Sequence, residues 1–154
     1  MTLTGHTDGD DAASGVSYLE IARVLVDHGA RTDADLRELW SRIVFNLLVS
    51  NTDDHLRNHG FLLTPQGLTL SPVYDINPTP DGKELSLAIN EVDTHCEIAI
   101  AMEAHRDYGL SKAEADAALR AVRDAAGGWR QEAGRLDIPH AQQRLMAEAF
   151  TLDS

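Results

Sequence analysis

Eight consecutive residues, Asn51-Thr52-Asp53-Asp54-His55-Leu56-Arg57-Asn58, hold two acids, a histidine, an arginine and two asparagines. A further acid, Asp75, follows in Tyr74-Asp75-Ile76. Polar residues this dense between apolar segments mark either a surface loop or a site for a charged ligand. The spacing gives each residue a chemistry. Asp53 and Asn58 stand as D-x-x-x-x-N. An aspartate so placed can take the proton of an attacking hydroxyl, while an asparagine five residues on and a later aspartate can share a Mg²⁺. Mg²⁺ is a hard cation that takes carboxylate and amide oxygens, so Asn58 and Asp75 suit it. Arg57 can hold a phosphate or pair with Asp53, and in either case offsets nearby negative charge.

The flanking elements must position these groups. Leu36, Leu39, Trp40, Ile43, Val44, Leu47 and Leu48 recur at helical spacing. They predict a long helix, capped by Thr32 or Asp33, that delivers the chain into the polar loop. Gly60-Phe-Leu-Leu and Leu68-Thr-Leu flank the turn sequence Thr64-Pro-Gln-Gly67, which predicts a β-hairpin returning Asp75 beside Asn58. Upstream, Met1 to Gly15 reads as a flexible lead, followed by the folded domain, residues 16–154. Ser17-Tyr-Leu-Glu20 is a capping-box pattern, predicting a short helix to His28. The same pattern at Thr94–Glu97 predicts a helix to about Tyr108, and at Ser111–Glu114 an Ala-rich helix to about Ala126. Gly127-Gly128 breaks that helix, Trp129 to Leu136 can resume it, and Pro139 suits the first turn of a last helix. Leu85 to Ile89 reads as a short strand. The expected fold is mainly α, with one small hairpin after the loop.

At this point Asn51-Thr-Asp-Asp-His-Leu-Arg-Asn58-His-Gly-Phe and Leu70-Ser-Pro-Val-Tyr-Asp-Ile-Asn-Pro78 closely resemble the C-terminal lobe of HipA-like serine/threonine kinases, the toxin halves of bacterial toxin–antitoxin pairs. The resemblance runs from about Val16 to Phe150. It implies that Asp53 is the catalytic aspartate, that His55 is the histidine of the catalytic loop, and that Asn58 and Asp75 bind Mg²⁺ and, through it, ATP. Arg57 stands where many members have lysine. It also implies a protein substrate, an aminoacyl-tRNA synthetase being one candidate, and an antitoxin partner.

A kinase needs a Gly-rich loop and an early-strand lysine to clamp ATP. No G-x-G-x-x-G occurs, and the two lysines, Lys83 and Lys112, both follow the loop. The resemblance assigns those parts to an N-terminal lobe, expected on a separate chain or missing from a shortened product. The isolated chain is then expected to be inactive. Two alternatives stand beside this reading. One is a non-enzymatic module that sequesters an antitoxin or another partner. The other is a metal-dependent hydrolase built on Asp53, His55, His59 and Asp75. It is disfavoured because H-x-x-x-H needs a helix to aim both imidazoles one way, and no Glu follows the first His.

Other polar residues have blander expectations. Asp54 should be solvated or bond backbone, and His59 should serve the start of the hairpin. Trp40 and Trp129 should pack. Cys96, near an expected helix start, should be inert, and Asn90, Glu91 and Asp93 should form a solvated turn.

Composition narrows the class. The chain has 154 residues, 43% of them hydrophobic, enough for one folded domain. One cysteine permits no internal disulfide, and neither a signal peptide nor a run of roughly 18 apolar residues is seen, so a reducing cytoplasm is expected and a membrane is not. A net charge of −12 argues against binding to a phosphate backbone by this chain.

Overall fold

The computed structural model describes residues 3–7 and 9–152. Its centre is α2 (Thr32–Leu48), which buries Leu36, Leu39, Trp40, Ile43, Val44, Leu47 and Leu48. The helical spacing predicted this stripe. Four elements close over it. They are α1 (Tyr18–His28), a β1–β2 hairpin (Phe61–Thr64 and Gly67–Leu70), α3 (Ile98–Ala104) and α4 (Lys112–Gly127). Trp40 is fully buried, and its Nε1 donates to the carbonyl of Ala101 at 3.2 Å, pinning α3 across the core. Two short helices, α5 (Trp129–Arg135) and α6 (His140–Met146), complete a mainly helical fold.

The hairpin is antiparallel, with Phe61 opposite Leu70 and Thr64 opposite Gly67. It is fastened to α2 by polar groups. Asp35, buried on α2, accepts the amide of Leu70 at 3.2 Å, and Arg42 Nη2 donates to the carbonyl of Ser71 at 2.8 Å. Gly67 is needed at the contact with α1. Its φ is +140°, and a Cβ there would lie 2.6 Å from the carbonyl oxygen of His28.

Several local expectations differ from the structure. The Ser111 capping box forms as predicted, with reciprocal bonds to Glu114. The one at Ser17 does not, although α1 starts there. Its Glu20 instead pairs with His6 at 3.2 Å, and the Tyr18 amide donates to Ala88. The Thr94 box fails because Leu85 N–H donates to Thr94 and Cys96 N–H to Lys83, which keeps that stretch extended until α3 begins at Ile98. The helix at Thr32 starts one residue early, with Arg31 as its N-cap, while Thr32 Oγ1 donates to Leu25. Leu85–Ile89 is no strand. Its bonds scatter over several segments: Leu85 and Ile89 bond to Thr94 and Asp93, Ser86 to Thr52 and Ala12, and Ala88 to Val16 and Tyr18, so no ladder builds. Within the first fifteen residues, Asp11 caps a single 3₁₀ turn, Ala12–Ser14, whose Ala12 amide donates to Ser86.

Candidate functional site

The loop that follows α2 is built by backbone and side-chain bonds together. Ser50 takes a left-handed conformation, φ +50°, and reverses the chain. Its carbonyl accepts the amides of Thr52 and Thr79. The carbonyl of Thr52 accepts both the amide of Ser86 at 3.1 Å and its hydroxyl at 2.8 Å. The stretch 79–86 thus braces the loop from behind.

Within this frame the two neighbouring aspartates part company. Asp53 is exposed, and no hydrogen bond to its carboxylate is made by the described residues. Asp54 is buried, which corrects the expectation of a solvated role. One oxygen of Asp54 gathers three donors. Tyr18 hydroxyl lies at 2.7 Å, Asn46 Nδ2 at 2.6 Å and His59 Nε2 at 3.0 Å. Burial pushes the Asp54 carboxyl up, but the bonds and charge of His59 and the Tyr18 bond outweigh it and hold it below the ordinary value. An ionised carboxylate only accepts, so His59 must carry its proton on Nε2. His59 is therefore more than the start of the hairpin.

The remaining loop residues separate as well. His55 Nε2 lies 2.9 Å from Arg57 Nη2. A guanidinium only donates, so His55 accepts through Nε2, and its buried Nδ1 has no partner among the described residues. Asn58 is buried, and its Nδ2 reaches toward the Asp53 carbonyl at 3.5 Å, leaving Oδ1 as a donor oxygen for a cation.

The chain beyond the hairpin returns alongside. Tyr74 hydroxyl donates to the carbonyl of Arg57 at 2.7 Å, and the Asn77 amide donates to Asn51 Oδ1 at 3.3 Å. Between these two anchors stands Asp75, exposed and left-handed at φ +58°. Aspartate tolerates that region better than most residues, yet it remains costly and is found disproportionately at functional sites. Asn77 Nδ2 donates to Asp75 Oδ1 at 2.8 Å, and the described residues place no donor on the other oxygen. Asn58, Asp53 and Asp75 offer only hard oxygen donors, a set that fits Mg²⁺ rather than a softer metal. No cluster of three or more His, Cys, Asp or Glu side chains suited to a metal occurs among the described residues.

Two hollows adjoin the loop. A cleft of about 420 Å³ is lined by Arg57, His59, Phe61 and Leu63, and one of about 150 Å³ by Asp11, His55, Arg57 and Ser86. A larger groove, about 540 Å³, lies away from the loop against Arg23, Asp27 and Glu91 and has no part in this geometry. Elsewhere, burial and Glu84 push the Cys96 thiol up to about 11, as an inert cysteine requires.

The family model of the HipA-like C-terminal domain matches residues 1–129. The chain belongs to the HipA-like C-terminal domain family. A Haemophilus influenzae protein named "Putative kinase" is 35% identical over 77 residues, 47% of this chain and 22% of that protein. "Putative kinase Y4mE" of Sinorhizobium fredii is 26% identical over 130 residues, 73% of this chain and 31% of that protein. Among solved structures, the Shewanella oneidensis MR-1 toxin–antitoxin complex of HipA, HipB and operator DNA contains a similar fold, with TM-score 0.68 at 22% identity over 90% of this chain. The chain spans 34% of that neighbour, so it matches about a third or less of each of these proteins. The HipA-like domain seen here is thus mainly helical with one small hairpin, as the sequence predicted. No helix among the described residues is long and apolar enough to cross a membrane.

Proposed function

We propose that this HipA-like domain supplies the catalytic aspartate and the Mg²⁺ ligands for transfer of the γ-phosphoryl group of ATP to a serine or threonine of a protein. The observation that carries the reading is the return of the Asp75 segment onto the Asp53–Asn58 loop through Tyr74 and Asn77. Asp53, exposed and with no bond to its carboxylate from the described residues, takes the proton of the substrate hydroxyl as that oxygen attacks phosphorus. Asn58 and Asp75 hold Mg²⁺, which when bound neutralises charge on the phosphate oxygens. Arg57 and His55, in contact with each other, line the smaller hollow together with Asp11 and Ser86; the guanidinium supplies positive charge there.

The ATP clamp comes from an N-terminal lobe, whether in the same protein or in a second chain. Charge-assisted bonds from that lobe's lysine and amides are worth roughly 1.5–3 kcal/mol each, so residues 1–154 alone should bind Mg²⁺–ATP weakly. The HipA relative is named for a complex with HipB, and an antitoxin-like protein is the corresponding partner proposed here.

Radiolabelled phosphate transfer, measured with and without an added HipA-type N-terminal lobe, tests this reading. Transfer should require the lobe and Mg²⁺ and should vanish with Asp53→Asn. Transfer by the Asp53→Asn protein at the wild-type rate would remove Asp53 from the role. Complemented protein with no transfer at all would favour a non-enzymatic binding module.

A further inference from the structure

We propose that Asp54 is a positioning residue, the hub that fixes the Asp53–Asn58 loop and the Asp75 segment relative to each other. The proposal rests on the metal-binding reading above for its consequence, though not for its geometry. Four segments meet on Asp54 and its partners. Tyr18 brings α1, Asn46 brings α2, and His59 brings the start of the hairpin, all onto one carboxylate oxygen. From Asn46 the chain of bonds continues. Asn46 Oδ1 accepts from Asn51 Nδ2 at 3.0 Å, Asn51 Oδ1 accepts from the Asn77 amide, and Asn77 Nδ2 donates to Asp75. An unbroken path of hydrogen bonds therefore runs from the buried carboxylate to Asp75. Within the loop, the residue turned inward is Asp54 and its exposed neighbour is Asp53.

The path has little freedom. Tyr18, Asn46 and Asn51 are buried, and the side chains of Asp54 and His59 are each 4% exposed, so water cannot cheaply replace a bond lost between them; only the last link, from Asn77 to Asp75, is exposed. Asp54 touches neither of the open carboxylates and acts only through these intermediates. Supporting bonds of this kind orient metal ligands, and their loss commonly lowers metal affinity by about 10–100-fold.

The test uses the 154-residue chain, Mn²⁺ as the probe, and four variants: Asp54→Asn, Tyr18→Phe, Asn58→Ala and Asp75→Ala. Circular dichroism first confirms folding. Amide hydrogen exchange of residues 51–58 and 74–77 is then compared with that of α4. Asp54→Asn should speed exchange in the two loop segments by roughly tenfold or more while leaving α4 unchanged. It should also weaken Mn²⁺ binding about 10–100-fold. Tyr18→Phe keeps the Asp54 charge and removes one donor, so it should shift both readouts in the same direction by about threefold, which separates positioning from long-range attraction. Folded Asp54→Asn protein with wild-type exchange at both segments would overturn the proposal. So would Tyr18→Phe protein with wild-type exchange and Mn²⁺ affinity. If Asn58→Ala and Asp75→Ala bind Mn²⁺ like wild type, the metal reading fails instead, and the exchange data still decide the role of Asp54.

Discussion

The hydroxyl of Tyr74 donates to the backbone carbonyl of Arg57 across 2.7 Å, joining two segments separated in sequence by a whole hairpin. The next residues along each segment are Asp75 and Asn58, the pair proposed to share one cation. Tyr74 itself is about half exposed, so it works as a strut rather than as core.

Removing that strut should be mild for folding and visible in metal use. Tyr74→Phe loses one hydrogen bond worth about 0.5–1.5 kcal/mol, less for its exposure. In complemented transfer assays the Mg²⁺ concentration giving half-maximal rate should rise several-fold, roughly as one lost bond implies, while the rate at saturating Mg²⁺ stays near wild type. An unchanged Mg²⁺ dependence would show that the contact does not set the Asp75–Asn58 relationship.

Asp53 and His59 should fail in opposite ways. Asp53 is exposed and its carboxylate takes no hydrogen bond from the described residues, so Asp53→Asn should leave the urea midpoint unchanged and lower transfer about 10²–10⁴-fold. His59→Ala strips a donor from buried Asp54 and should cost about 1–3 kcal/mol of folding stability. Its effect on transfer should be smaller than that of Asp53→Asn. Denaturant unfolding alongside transfer assays checks both.

Stability should depend on pH at both ends of the scale. Asp54 titrates below its ordinary value of 3.8 in the folded state, because the His59 and Tyr18 contacts outweigh burial. A carboxyl depressed by folding contributes stability that is present above the unfolded value and lost as pH falls through the folded one. The urea midpoint should therefore drop on going from about pH 5 to about pH 3, and drop less in Asp54→Asn. Tyr18 and Tyr108 are shifted the other way. Burial raises both phenols, and the Asp54 charge raises Tyr18 further. Their contribution is complete below the unfolded value of 10.0 and is lost as pH climbs beyond it. Alkaline titration followed by circular dichroism should show a cooperative loss above about pH 10, with Tyr108→Phe shifting that loss upward.

The hairpin carries its own test. Gly67→Ala places a methyl 2.6 Å from the His28 carbonyl at a φ of +140°. Backbone strain and displacement from α1 should cost roughly 1–3 kcal/mol. Thermal unfolding measures the loss, and a variant as stable as wild type would mean that the hairpin can back away from α1 freely.

The spacing of residues showed the outline of this molecule and not its interior bonding. The stripe on α2 was legible because seven apolar side chains repeat with the period of a helix. The hairpin was legible because Pro65 and Gly67 specify a turn. Asp54 was not, since a motif names the residues at its ends and leaves the neighbour of Asp53 looking like spare charge. A signal did exist: Asn46 and Arg42 lie on the same stripe as Leu39, Ile43 and Leu47, and polar groups on a buried face demand partners. The failed capping boxes have another cause. A capping box is a contest between local bonds and more distant ones, and His6, Ala88 and Lys83 are invisible to a four-residue pattern.

The far end of the described chain bears on the loop in an unexpected way. Trp129 stacks on Phe150 with ring centres 4.2 Å apart, and just beyond it Thr151 donates its amide to Leu48 and its hydroxyl to Leu47. Those carbonyls belong to the last turn of α2, where the Leu47 carbonyl also accepts the amide of Ser50. The match to the family model ends at residue 129, and Phe150 and Thr151 follow it. The stem of the polar loop is thus tied to residues some hundred positions further along the chain. Peptide tags, fusions or proteolytic trimming beyond Trp129 would act on the stem from which Asn51 departs.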